Sequence, residues 1–499
     1  MNATRRIVLT GAAALALPAT TRAATPGVLR IGIGSSLNRL DPLLTTIGDE
    51  YVYDNLVFNG LTRMNESLKT EPDLAERWDY SADLKSWTFH LRQGVKFHDG
   101  TILVAADVVA MFGRMLDPAT AAPARSNYDM ITAVDAPDDH TVVFTLGSPY
   151  GGFADIMTDR QVKIVPRGKV TQLPTQPVGT GPFKFVSYTP GDRMVLTRNP
   201  DYFEPGLPKL AGVELRIIPE MSAKIAALQA GDLDVVWDLP LDQVKTLNGR
   251  GGLRVESVPT SSWDAAVMNN LIPPFNDKRV RMAFQLAISK PDVVELALFG
   301  QGEPTISPIP PSHPFYAHDI KIPEPNPAAA RKLLADAGFP NGVTVPIIVP
   351  VGRPVRERLG VTLQQLAKPA GFDLQVQRVP FSSFDAEVSG KAPLYIDGFF
   401  GRPTVDTSTY PFYESKGSWN NKLWHYSNPL IDAALTAARL SGDPAVQKMH
   451  YIAFQHALND DPAGFMAYSV NFACAYGKGV SALKTHPMRW FDLRTATLA

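Results

Sequence analysis

Between Pro72 and Asp107 the sequence sets out a strand, a turn and a helix start in an order that few folds accommodate. Trp87, Phe89 and Leu91 alternate with Thr88, His90 and Arg92, so one face of an extended segment is apolar and the other polar, as a half-buried strand requires. A hairpin follows, in which Val95 and Phe97 resume the alternation and Asp99-Gly100 supplies the turn. Ala105-Ala106-Asp107 then opens an apolar run at helical spacing.

The same reading extends along the chain. Leu29 to Ile33 reads as a strand that enters a Gly/Ser/Asn loop and then an amphipathic helix around Tyr51 to Phe58. After Asn199, strands and helices alternate: Val213 to Ile218, the helix Met221 to Ala230, then Val235 to Trp237. Val280 to Leu298 reads as one helix, and Pro327 to Ala337 as another with Pro at its start and Gly338 at its end. Strands Val343 to Val349 and Asp373 to Val379 flank a helix around Arg356 to Lys368, a βαβ arrangement. Composition and periodicity alone therefore define a large mixed α/β protein.

The first residues have the parts of an export signal: Arg5-Arg6 followed by Val8-Leu9, an apolar stretch from Gly11 to Leu17, and small Thr21 and Ala23 before the expected cut. The paired arginines resemble a twin-arginine signal, with an ordinary secretory signal as the alternative. The apolar run falls short of the roughly 20 residues that span a bilayer. Cys474 is the single cysteine, so a disulfide within the chain is excluded and the core must hold the fold. The formal charge of -1 becomes -4 once residues 1–23, with their three arginines and no acids, are removed. That balance argues against nucleic acid or an anionic membrane as partner.

Five further segments carry a family resemblance in fixed order. Val178-Gly179-Thr180-Gly181-Pro182-Phe183 precedes Arg198-Asn199-Pro200-Asp201-Tyr202-Phe203; then come Ala230-Gly231-Asp232-Leu233-Asp234, the stretch Pro274 to Arg281, and Ala330 to Gly342. Together with the 72–107 segment they resemble the extracytoplasmic solute-binding proteins of family 5, the oligopeptide, dipeptide and nickel type that serves ATP-binding-cassette (ABC) importers. The resemblance implies a two-lobed periplasmic-binding-protein fold of the cluster C type with an extra domain inserted in the N-terminal lobe. Lobe I is expected at residues 24–70, 183–266 and 465–499, the inserted domain at 71–182 and lobe II at 267–464, with hinge crossings near 267–269 and 466–468. It also implies a monomeric periplasmic receptor that captures a small polar ligand, peptide or peptide-like, and hands it to an inner-membrane permease. A secreted hydrolase or periplasmic chaperone on the same scaffold is the alternative. No cofactor, metal or catalytic residue is expected: the eight histidines from His90 to His456 lack metal-ligand spacing, and the usual hydrolase and nucleotide-binding motifs are absent.

In peptide-binding relatives the loop matching Phe399 to Thr404 carries an acidic residue for the peptide amino terminus. Here that position holds Arg402. A guanidinium in a water-poor cleft favours a carboxylate or phosphate through two parallel hydrogen bonds, which points to an anionic ligand. The competing reading has Arg402 capping its turn or pairing with Asp406. Phe399 and Phe400 stand where relatives keep an apolar wall, with core packing as the alternative. From lobe I the candidates are Asp49 and Tyr51, Asp49 being equally an N-cap. Tyr410 and Trp419 add aromatic area, and Arg160 of the inserted domain adds charge unless it forms a surface ion pair with its neighbour.

Overall fold

Ten strands form one continuous path, and two of them hold the molecule together. The computed structural model describes residues 27–499, so the export signal expected at 1–23 lies outside the described residues. The long strands Arg254–Met268 and Phe465–Tyr476 run antiparallel through the middle of an eleven-stranded sheet. Beyond the second of them follow Val235–Val236, Val28–Ile33, Gly212–Ile217, Arg193–Arg198 and Phe183–Thr189; beyond the first follow Leu394–Phe399, Val343–Val351 and Phe372–Pro380. Each half is a mixed sheet with helices against it, which gives two lobes sharing two strands.

The shared strands do not pair evenly. Register shifts between Pro259 and Trp263 and between Asp264 and Ala265, and such bulges increase local bend and twist. On the second-lobe side of this break, Trp263, Ala265, Ala266 and Tyr468 pack into that lobe's two cores. Arg356, on the helix Pro354–Ala367, fastens the region by donating to Asp264 at 2.9 Å, to Asp397 at 2.8 Å and to the Gly398 carbonyl at 2.5 Å.

A separate four-stranded antiparallel sheet contains Ala75–Tyr80, Ser86–Leu91, Thr141–Leu146 and Ile131–Asp138 in that order. Trp87, Phe89 and Leu91 are its buried face, with Phe144 and Phe153 packed edge-on to Phe89 or tilted against it. The expected Asp99-Gly100 turn is present: Gly100 takes φ +89°, and Lys96 bridges Ile102. The His98 ring stands 3.0 Å from the Gly181 carbonyl, joining two of the spaced motifs. Gly179 and Gly181 leave no room for a Cβ against the Val57 backbone, which is why glycine stands at both.

One helix differs from expectation. The stretch 280–298 is two helices, Lys278–Ala287 and Lys290–Leu298. Pro291 cannot donate and would clash one turn back, while Ser289 caps the second helix by accepting from the Asp292 N–H at 3.2 Å. Among the described residues no helix is long and apolar enough to cross a membrane.

Candidate functional site

Three parts of the chain converge on a cavity of about 260 Å3. Thr46 and Tyr51 come from the first lobe, Ser126, Asn127, Asp159, Arg160 and Gln161 from the inserted segment, and Arg402 and Trp419 from the second lobe. Tyr51 lies in the helix Gly48–Val57, whose entry is fixed by the Glu50 carboxylate accepting from the Thr46, Ile47, Asn38 and Arg39 N–H groups. Arg160 follows the short helix Phe153–Ile156. It donates to the Gly401 carbonyl at 3.1 Å and lies over the Tyr51 ring with its guanidinium carbon 4.5 Å from the centroid. Arg402 leaves the end of the strand Leu394–Phe399 and precedes the helix Val405–Tyr413, whose cap is Thr404.

Arg402 has no hydrogen-bond or ion-pair partner among the described residues. Burial holds its pKa below the usual arginine value, and the Arg160 charge adds to that shift, while Asp159 and Tyr51 oppose it. Arginine nevertheless stays charged at any ordinary pH, so the wall of the cavity presents a half-buried cation. The competing reading's pairing of Arg402 with Asp406 does not occur among the described residues. Asp406 accepts from Arg439 at 3.0 and 2.7 Å and from the Tyr150 hydroxyl at 3.0 Å.

The structure brings Tyr51, Arg160, Arg402 and Trp419 to one cavity and leaves the other four candidates off its wall. Phe399 packs into an aromatic core, 5.1 Å from Trp263 and 4.8 Å from Phe412 by ring centroids; as the last strand residue it faces inward. Phe400 is 55% exposed and lies under the Arg489 guanidinium. Tyr410 is covered by the Arg439 guanidinium at 3.4 Å, which uses it as packing. Asp49 neither caps its helix nor reaches the cavity, because Ile47 holds the cap position and the Asp49 carboxylate accepts from the Gly34 N–H and the Ser35 hydroxyl. Its pKa is raised by burial. Arg160 forms no ion pair among the described residues. Ser126, Asn127 and Gln161 escaped sequence reading because polar residues in a turn carry no signal that distinguishes them from any other loop.

A larger groove of about 940 Å3 runs along Leu37 to Leu40, Pro174 to Val178 and Lys184 to Pro190. It has no second-lobe wall, so lobe closure cannot enclose a ligand there. Among the described residues no three His, Cys, Asp or Glu side chains gather closely enough to hold a metal ion. Cys474 is buried and its thiol is pushed up to about 12 by burial.

The cavity lies between two lobes that share two strands, the arrangement of a periplasmic binding protein. The family model of bacterial extracellular solute-binding proteins, family 5, matches residues 69–421, and the chain belongs to that family. It is a solute-binding protein of the class that serves ABC importers. It is 28% identical over 483 residues to the glutathione-binding protein GsiB of Escherichia coli K12, covering 94% of each chain. Among solved structures, HbpA2 from Haemophilus parasuis superposes with a TM-score of 0.85 at 24% identity, over 95% of this chain and 100% of that one. The PBP AgaA from A. tumefaciens R10, in complex with agropinic acid, gives a TM-score of 0.78 at 24% identity, over 95% and 99%.

Proposed function

We propose that this protein is a periplasmic receptor, exported by the twin-arginine route, that captures a small anionic ligand in the 260 Å3 cavity and delivers it to an inner-membrane ABC permease. The observation that carries the reading is Arg402, a charged, half-buried side chain with no hydrogen-bond or ion-pair partner among the described residues, facing a cavity with walls from both lobes and the inserted segment. A half-buried charge without a partner loses part of its hydration, and the loss becomes complete on lobe closure unless a ligand supplies a counter-charge. Arg160 lines the same cavity beside Arg402, with four of its five donors free of partners among the described residues. Tyr51 and Trp419 add aromatic wall for the rest of the ligand. Glutathione and agropinic acid, the ligands named for two relatives, both carry carboxylates, which supports an acidic ligand here over a plain peptide held by its amino terminus.

The protein acts as a monomer and makes or breaks no bond. Lobes with the limits drawn from the sequence close about the two shared strands when a ligand bridges them. Native mass spectrometry of protein purified from periplasm without unfolding should find a retained small acid. Addition of that acid should reduce the radius of gyration in small-angle scattering and raise the melting temperature. Retention of a neutral or cationic ligand, or no compaction with a tight ligand, would overturn the reading.

A further inference from the structure

The cavity holds one charged group that an anion alone would not use. Asp159 is 8% exposed and lines the same wall as Arg160 and Arg402. One of its oxygens accepts the Gln161 N–H at 3.2 Å; the other has no donor among the described residues. Neither arginine pairs with it, since Arg160 is turned to the Gly401 carbonyl and the Tyr51 ring and Arg402 has no partner among the described residues. Two guanidinium groups and one carboxylate thus face the same small space with no hydrogen bond or ion pair between them among the described residues, although the Asp159 charge acts on Arg402.

We infer that the ligand carries an ammonium group for Asp159 beside two carboxylates for Arg160 and Arg402, so that the substrate class is the amino-dicarboxylates with a free amino group. This rests on the anionic reading of the same cavity and narrows it. A ligand with carboxylates alone would set like charge against the buried Asp159 carboxylate, which selects against it. A ligand with one ammonium alone would leave both arginines uncompensated. One ammonium with two carboxylates matches the site's charges group for group, and Tyr51 and Trp419 cover the carbons between them. The hydroxyl of Ser126 and the amide of Asn127, neither engaged by another described side chain, can complete the contacts of such a polar head.

Calorimetry on the full protein, with bound ligand first removed, should compare γ-glutamylglycine with glutarylglycine, which differ only in the amino group. L-glutamate and glutarate form a shorter pair of the same kind. Within each pair the amino form should bind at least about 30-fold more tightly, and Asp159→Asn should reduce that preference to a few-fold. Asparagine keeps the acceptor that the Gln161 N–H uses, and an unchanged melting temperature for the variant checks that it folds. Equal or tighter binding of the desamino probes overturns the role of Asp159 while leaving the anionic reading standing. Binding of none of the four, together with binding of glycylglycine amide, which bears an ammonium and no carboxylate, overturns both. An Asp159→Asn variant that keeps the full preference for the amino form also overturns the assignment.

Discussion

Two arginine clusters sit within one stretch of the second lobe and are built in opposite ways. At Asp406 the carboxylate is 5% exposed and satisfied from three sides, by both arms of Arg439 and by Tyr150. Four residues earlier Arg402 faces a cavity with no partner among the described residues. Burial acts on both, and the difference lies in who answers the charge. A buried charge answered within the chain belongs to the fold; one left for an outside group belongs to recognition.

The largest effect should come from breaking the answered cluster. Arg439→Ala leaves Asp406 buried beside Tyr150 alone and should lower stability by about 3–5 kcal/mol, measured by denaturant unfolding of ligand-free protein. Because Asp406 and Arg439 lie in one lobe, that loss should be present with or without ligand. A loss below 1 kcal/mol would put this pair among surface bridges and erase the contrast.

Arg402→Ala should behave in reverse. Removing an unanswered cation should leave the unfolding midpoint unchanged or raise it slightly, while binding of the retained acid weakens by about 2–5 kcal/mol. Arg402→Lys should recover part of the loss, since an ammonium lacks the two-pronged geometry. Calorimetry against the acid found by mass spectrometry checks this, and full affinity in the alanine variant would return Arg402 to packing.

His486 sharpens the stability side of the comparison. It is buried, with its Nε2 3.2 Å from the Met64 carbonyl and its Nδ1 accepting the Met488 N–H, and burial lowers its pKa to about 4. A folded pKa below the unfolded value of about 6.5 means that its contribution is complete above pH 6.5 and is lost as pH falls through 4. Relative to His486→Gln, which cannot titrate, the wild type should lose up to about 3 kcal/mol between pH 7 and 4. A pH-independent difference between the two would show that the imidazole titrates normally.

The smallest effect belongs to Tyr51. Its ring supports the Arg160 guanidinium, and Tyr51→Leu should cost about 0.5–1 kcal/mol of binding with stability nearly unchanged. A loss as large as that of Arg402→Ala would make the hydroxyl a direct ligand contact.

Much of the architecture was legible before folding. The alternation at 87–91, the Gly100 turn, the helix Met221–Ala230 and the βαβ unit from Val343 to Pro380 all stand where local periodicity put them. The break at Ile288-Ser289 was visible too, as a capping serine and a following proline, but the apolar run across it reads as continuous until those two are weighed. The site was half legible. Tyr51, Arg160, Arg402 and Trp419 meet at the cavity, whereas Phe399 and Phe400 could not be sorted from sequence because neighbours on a strand point opposite ways and sequence does not say which side the core takes.

The chain by itself determined the periodic elements, their caps and turns, and the motif order that marks the family, because each depends on residues a few positions apart. It could not determine which charges would be answered. Asp406 lies four residues from Arg402, a spacing at which side chains on one helix can meet, yet its partners are Arg439, 33 positions away, and Tyr150, 256 positions away. Only tertiary packing brings those groups to Asp406, and in doing so it leaves Arg402 without a partner among the described residues.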